Sequence, residues 1–288
     1  MGKSAGRLRH FLHVWKELTS DPLILEWVQG YRIPFESPPR QIRVPLSSIS
    51  ESDSKILETM IPQLLLKGVI KRCVPCKEQF VSPVFLDPKP DGGFRFILNL
   101  KELNKFLMPP HFKLEDSRTA SQLVSPNCFL STLDLKDAYY LVHVDPTFHK
   151  FLRFWFKEKL YEFTCLPFGL CTAPFVFTKM LKPVMHALRS EGLLSVVYLD
   201  DFLLIGDTYA QCVSNVAKTS KMLQSLGFLF STKKCQFPPA QQCKFLSFIF
   251  DTCNFTLELP PQRKIAVDKV LKRFRNKKRC TIRSYAQM

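Results

Sequence analysis

No stretch of this sequence reaches the ~18 consecutive apolar residues of a bilayer-spanning helix, and its basic N-terminus lacks the apolar centre of a signal peptide. Gly6 stands where a myristoylation signal beginning Met1-Gly2 needs Ser or Thr. An intracellular chain is therefore expected, cytoplasmic or nuclear, with no membrane partner. Of the ten cysteines only Cys73-x-x-Cys76 forms a close pair, and neither a second pair nor any of the six histidines completes a zinc set at suitable spacing. Reduced, mostly buried thiols are the expectation. Acidic residues are also in short supply: 25 Asp and Glu stand against 41 Lys and Arg, a net charge of +16. That balance suits a protein that follows a phosphate backbone. Apolar residues are not scarce, and 46% hydrophobic with 23% charged over 288 residues excludes disorder and allows more than one packed unit.

The excess positive charge is concentrated. Residues 263–283 hold Arg263, Lys264, Lys269, Lys272, Arg273, Arg275, Lys277, Lys278, Arg279 and Arg283 against Asp268 alone. Such a run is either a solvated helix face or a helix turned to nucleic acid. The second is favoured, because counterion release drives duplex binding.

Upstream, Leu8, Phe11, Leu12, Trp15 and Leu18 share one helical stripe, and Pro22 opens a second helix that Gly30 closes. The Pro-rich stretch 34–47 ends that extension. Ser48-x-x-Glu51 resembles a capping box ahead of Ile56, Leu57, Met60, Ile61, Leu64 and Leu65, a helix that should run to Gly68 and brace a β-hairpin. The hairpin is predicted from Phe80–Leu86 and Phe94–Leu100, joined by a turn rich in Pro and Gly. Strands are expected at 151–156 and 161–164, then at 244–250 and 254–259 around a turn at Asp251–Cys253. Helices are expected at 173–190 and 209–226. Strands with interleaved helices on one side indicate an α+β fold with an antiparallel sheet.

Asp200-Asp201 lies between Leu193, Leu194, Val196, Val197 and Phe202, Leu203, Leu204, Ile205. Two short buried strands joined by a tight turn would carry both acids at the tip. The acids then either form a solvated turn or need a partner, since desolvating a carboxylate costs several kcal/mol. Asp134, at the end of the apolar run Phe129–Leu135, supplies a third acid in like surroundings. Three Asp residues from two strand ends can hold two Mg²⁺ ions roughly 3.5–4 Å apart, and oxygen ligands favour Mg²⁺ or Mn²⁺ over Zn²⁺.

The ordered series Leu133-Asp134-Leu135-Lys136-Asp137-Ala138-Tyr139-Tyr140, Leu166-Pro167-Phe168-Gly169-Leu170 with Ala173-Pro174, and Tyr198-Leu199-Asp200-Asp201 resembles the core motifs of reverse transcriptases. Ser82-Pro83-Val84-Phe85, Lys89-Pro90-Asp91-Gly92-Gly93-Phe94-Arg95 and Leu103-Asn104 resemble the fingers. Leu226-Gly227, Lys233-Lys234-Cys235 and Phe245-Leu246 resemble the last palm motifs. The resemblance spans about residues 55–260. Gly6-Arg7-Leu8, Trp15, Thr19-Ser20-Asp21-Pro22 and Gly30-Tyr31-Arg32-Ile33-Pro34-Phe35 further resemble the tyrosine-recombinase (DIRS-like) retroelements.

The resemblance implies a right-hand polymerase with N-terminal helical extension 1–47, fingers 48–128, palm 129–259 with a fingers segment inserted at about 140–165, and an incomplete basic thumb 260–288. No acidic set that could cut an RNA strand follows. The implied catalytic residues are Asp134, Asp200, Asp201 and Lys234, with two Mg²⁺ held by the three acids and the Leu135 carbonyl. Adjacent strand side chains point to opposite faces, which sets Asp201 apart from Asp200. Lys234 would protonate pyrophosphate, with Lys233 its rival. Lys89 and Arg95 would hold the triphosphate of a dNTP, Asp137 and Ala138 its sugar and phosphates through backbone amides, and Tyr139 would exclude a 2′-hydroxyl, where plain core packing is the alternative. Phe168 stands where some retroviral enzymes have Gln, and Gly169 would allow a close approach to nucleotide or template. Template and primer, RNA or DNA, would meet Tyr198, Phe245, Leu246, Lys264, Lys272, Arg273, Arg275 and Lys278. Ser247 stands where the family often has Gly.

The expected function is RNA-directed DNA synthesis. A non-catalytic nucleic-acid-binding remnant is the alternative, while Tyr139 disfavours an RNA replicase and the fingers motif a nuclease.

Overall fold

The computed structural model describes residues 4–45, 49–89, 92–275 and 281. Along them run α1 (Leu12–Leu18), α2 (Pro22–Gly30), α3 (Glu51–Lys67), β1 (Ile70–Arg72), β2 (Val84–Pro88), β3 (Phe94–Leu98), α4 (Ser117–Leu123), β4 (Phe129–Asp134), β5 (Arg153–Phe156) and β6 (Lys159–Phe163). There follow α5 (Ala173–Ser190), β7 (Ser195–Tyr198), β8 (Asp201–Gly206), α6 (Tyr209–Ser225), β9 (Gln236–Ala240), β10 (Gln242–Phe245), β11 (Phe248–Asp251), β12 (Thr256–Glu258) and α7 (Pro261–Arg275). The chain forms two compact units, each gathered from separated stretches: Met1–Leu114, Leu135–Gly192 and Ala217–Thr232 in the first, Glu115–Asp134, Leu193–Val216 and Lys233–Met288 in the second.

In the first unit the N-terminal helices lie on the expected apolar stripe. The buried Trp15 packs edge-on against Phe228 at 6.0 Å, and its indole N–H donates to the Leu226 carbonyl at 3.1 Å. Asp21 caps α2 by accepting from the Leu23 amide at 3.0 Å, with Pro22 preset for the first turn. For α3 the cap is Ser50, whose hydroxyl accepts from the Asp53 amide at 3.0 Å. The expected cap, Ser48, lies outside the described residues. Gly68, at φ +75°, takes the left-handed turn that ends the helix.

From there the chain enters β1, the edge of an antiparallel sheet ordered β1-β6-β5. The hairpin β2–β3 is in register with Asp87 opposite Arg95. Phe96 from the hairpin meets Phe154 at 5.2 Å and Phe163 at 5.8 Å. Aromatic bracing of the hairpin comes from β5 and β6.

The second unit is built on an antiparallel sheet ordered β7-β8-β4-β9. Phe202, Leu203 and Leu204 of β8 are fully buried, so an unbroken apolar run, not an alternating one, marks this central strand. Ala120 and Val124 from α4 and its end, Leu130, Val196, Leu203 and Ile205 from the sheet, and Cys243, Phe245 and Phe250 share one core. A capping box starts α4, Asp116 accepting from the Arg118 and Thr119 amides.

The single strand expected at 244–250 is two. The chain reverses between β10 and β11 at Leu246 (φ +46°) and Ser247 (φ +67°), pairing Phe245 with Phe248. Two consecutive left-handed residues make the turn whose twist matches a hairpin. It forms here without glycine. Among the described residues every strand ladder is antiparallel, and no helix is long and apolar enough to cross a membrane.

Candidate active site

The acids converge at one end of the second unit's sheet. Asp134, the last residue of β4, sits in register with Asp201, the first residue of β8. The turn Leu199-Asp200, with Leu199 at φ +55°, links β7 to β8 and pairs Tyr198 with Asp201. Asp200 therefore belongs to the turn and not to a strand, so the alternation that would turn Asp201 away from it does not apply. Asp201 instead stands with both other acids.

Burial, followed by the charges of Asp200 and Asp134, pushes the Asp201 carboxyl up to about 6, against the pull of Lys234. Lys234 places its Nζ 3.5 Å from Asp134 Oδ2, the lysine half exposed and the carboxylate largely covered. It is Lys234, and not its neighbour Lys233, that is seen to meet the cluster. The Asp134 backbone N–H points to the Cys235 sulfur at 3.3 Å, a contact no sequence motif announced.

Three carboxylates held together with partial burial form a like-charge cluster that hard divalent cations would relieve. The donor set fits Mg²⁺ or Mn²⁺. Among the described residues no three His, Cys, Asp or Glu side chains stand grouped as a metal site. Leu135 follows Asp134 directly and bridges to Phe230.

The residues expected to hold a nucleotide belong to the first unit. Arg95 is exposed on β3, donates to Asp87 at 3.1 Å, and lies 5.3 Å over the Phe168 ring. Lys89 opens the hairpin turn, its amide donating to the Gly93 carbonyl at 2.8 Å; Pro90 and Asp91 of that turn lie outside the described residues. Phe168 also meets Tyr139 at 5.1 Å and Tyr140 at 5.7 Å. The Tyr139 ring, 9% exposed, is backed by Phe177 at 5.7 Å. Aromatic packing thus fixes the ring that the family resemblance makes a gate. Asp137 is left-handed, at φ +55°, and starts the short 3₁₀ turn Ala138–Leu141.

Gly169 packs closely against β3. At φ +109° its Cα lies on the β3 backbone, where an added Cβ would stand 2.0 Å from the Leu98 carbonyl oxygen. Its freedom serves the packing of this loop on the strand. Asn104 secures the same loop, donating to the Gly169 carbonyl at 2.9 Å and accepting from the Cys171 amide at 3.2 Å. Its position in a fingers motif was the available signal.

Of the residues expected at nucleic acid, Phe245 is corrected: at 3% exposure it fills the core beside Phe250 and presents no side chain to a ligand. Leu246 and Tyr198 lean on that same core while half-buried. Along α7, Lys272 and Arg275 are exposed, and Lys264 pairs with Glu258 at 2.6 Å. The Arg273 side chain and Lys278 lie outside the described residues.

The chain is 25% identical over 260 residues to the Transposon Tf2-3 and Tf2-7 polyproteins of Schizosaccharomyces pombe, a match covering 90% of this chain and 19% of each polyprotein. Among solved structures it resembles the foamy viral protease-reverse transcriptase dRH in complex with double-stranded DNA, with TM-score 0.67, 21% identity, and coverage of 96% of this chain and 47% of that one. The foamy viral protease-reverse transcriptase in complex with an RNA/DNA hybrid gives TM-score 0.63 at 21% identity, covering 84% and 30%. These likenesses show the fold. Residues 87–250, more than half of the chain and inclusive of all three clustered acids, match the family described as reverse transcriptase (RNA-dependent DNA polymerase), and the chain belongs to that family.

Proposed function

We propose that the chain is the polymerase portion of a retroelement reverse transcriptase, adding dNTPs to a primer 3′-hydroxyl on an RNA or DNA template. The observation that carries this reading is the register of Asp134 with Asp201, with Asp200 in the adjoining turn and Lys234 beside Asp134. Asp134, Asp200 and Asp201, with the Leu135 carbonyl, would hold two Mg²⁺ ions. When bound, such ions neutralise charge on the attacking and leaving oxygens.

The protein's own groups do the rest. Lys234 supplies a proton to the departing pyrophosphate. Arg95 offers a planar fork and Lys89 a flexible point charge to the triphosphate. The amides at Asp137 and Ala138 hold sugar and phosphates, and Tyr139 leaves no space for a 2′-hydroxyl. In this reading residues 48–128 are fingers, 129–259 palm with the segment at about 140–165 assigned to the fingers, and 260–288 belong to a thumb whose Lys264, Lys272 and Arg275 follow the duplex backbone. The double-stranded DNA and RNA/DNA hybrid held by the foamy viral proteins support a template-primer duplex as the partner. The N-terminal motifs support a DIRS-like subtype, which a tyrosine-recombinase reading frame in the same element would bear out.

Primer extension on an RNA template with Mg²⁺ and dNTPs tests the reading, alongside duplex binding followed across a salt titration. Wild type extends; Asp134→Asn and Asp200→Asn bind the duplex but lose about a thousandfold or more in rate. Duplex binding without extension by the wild type, in Mg²⁺ and Mn²⁺ alike, would identify a non-catalytic remnant.

A further inference from the structure

Lys67, the last residue of α3, lies outside the stretch that matches the family. Its Nζ is 2.6 Å from Asp137 Oδ2, the two side chains 36% and 20% exposed.

The lysine is held from both sides. Its backbone carbonyl accepts from the Ser4 and Ala5 amides at 3.2 and 3.1 Å, while the next residue along, Gly6, donates to the Tyr140 carbonyl at 2.8 Å. The N-terminal segment therefore fastens the end of α3 and the 3₁₀ turn together at the backbone. Asp137 enters that turn at φ +55°, ψ 33°, a left-handed conformation that Asp tolerates better than most residues. An ion pair at this point selects it.

Charge gives the pair a second consequence. If the Asp137 and Ala138 amides receive a nucleotide, the Asp137 carboxylate is a negative charge beside a strongly negative ligand, and like charges there oppose binding. The Lys67 ammonium cancels it. We infer that Lys67 is a positioning residue for the nucleotide: it neutralises Asp137 and holds the 137–141 turn so that its amides and the Tyr139 ring face the incoming sugar and phosphates. This inference rests on the polymerase reading above. It assigns the end of α3, and through it the N-terminal segment, a part in substrate selection.

The test compares Lys67→Met, Lys67→Arg and Asp137→Asn with wild type in two assays. One is steady-state primer extension with dATP or ATP as the varied nucleotide; the other is equilibrium binding of dATP to the protein–duplex complex. Lys67→Met is expected to raise the KM and Kd for dATP about fivefold, the scale of a half-exposed ion pair, with kcat and melting temperature unchanged. Its preference for dATP over ATP should narrow. Lys67→Arg should restore both constants, and adding Asp137→Asn to Lys67→Met should recover part of the loss by removing the uncompensated charge.

A Lys67→Met protein with wild-type KM, Kd and sugar preference overturns the inference. So does a loss that Lys67→Arg fails to rescue, or one seen in kcat and melting temperature alone. Wild-type binding of dATP without extension would refute the polymerase reading, and the binding series would still judge Lys67. Neither binding nor extension by wild type would overturn both.

Discussion

The guanidinium carbon of Arg95 lies 5.3 Å from the centroid of the Phe168 ring, while an Nη of the same arginine donates to Asp87 across the hairpin at 3.1 Å. An exposed arginine is ordinarily free among many rotamers. Here a ring face and a carboxylate confine it.

Replacing Phe168 with Leu removes the ring and leaves the ion pair. A cation–π contact at an exposed site is worth about 0.5–1 kcal/mol, so Phe168→Leu should raise the KM for dNTPs roughly two- to fivefold while kcat stays near wild type. Phe168→Tyr, which keeps the aromatic face, should retain the wild-type KM. Steady-state extension kinetics on one template decide it, and an unchanged KM in the Leu variant would remove Phe168 from nucleotide binding.

Gly169 offers a stability measurement. Alanine there meets two obstacles, the positive φ and the Leu98 carbonyl oxygen 2.0 Å from the new Cβ. Backbone strain of ~1–3 kcal/mol adds to the clash, so Gly169→Ala should destabilise by about 3 kcal/mol or more. Urea denaturation reads this as a lowered midpoint. Full stability with lost nucleotide affinity would instead return Gly169 to a role at the ligand.

The site was legible in the sequence where chemistry and local pattern coincide. Asp200 and Asp201 interrupt an apolar run, and a carboxylate in such surroundings demands an explanation. Helix α3 carried apolar residues at helical spacing, and α5 and α6 lie within one residue of their expected bounds. What escaped had weak local signal. β9, Gln236–Ala240, contains Pro238 and Pro239, which argue against a strand except at a sheet edge, where β9 in fact lies. The turn at Leu246-Ser247 contains neither Gly nor Asn, and β1 is three residues long. Phe245 was placed at the nucleic acid because a motif gives a position in a family, not the direction of a side chain. The capping box of α4 was readable from Asp116 and Thr119, yet a seven-residue helix has too little periodicity to draw attention to it.

Arg153 and Glu162 form an ion pair on neighbouring strands of the first unit, 6% and 5% exposed. Arg153 Nη2 is 2.7 Å from Glu162 Oε2, and Lys71 reaches Oε1 at 3.1 Å. The guanidinium also donates to the Val74 carbonyl at 3.1 Å and to Gln79 Oε1 at 2.6 Å, which ties down the loop between β1 and Phe80. Glu162→Gln leaves Arg153 buried without its counter-charge, and breaking such a pair costs about 3–5 kcal/mol. The double replacement Arg153→Met with Glu162→Met should cost less than the single one. Denaturant midpoints of the three proteins check the order, and a Glu162→Gln protein as stable as wild type would show that the pair is dispensable.

His143 should make stability depend on pH. Burial, then the charges of Arg9 and His149, push its imidazole down to about 4 from an ordinary value near 6.5. The geometry agrees: Arg9 Nη1 lies 3.1 Å from His143 Nε2, and since arginine can only donate, the ring nitrogen accepts and is unprotonated. In the unfolded chain the imidazole takes a proton as pH falls through about 6.5, while in the folded chain it stays neutral until about 4. Between these values the unfolded state binds more protons, so stability is complete above about pH 6.5 and declines steadily towards pH 4. His149, also lowered by burial, adds to the same slope. His143→Asn keeps an acceptor for Arg9 and removes the titration, so its stability should fall less between about pH 7 and 4.5 than that of wild type. Urea unfolding at a series of pH values measures both slopes, and parallel curves for the two proteins would assign the acid sensitivity to other groups.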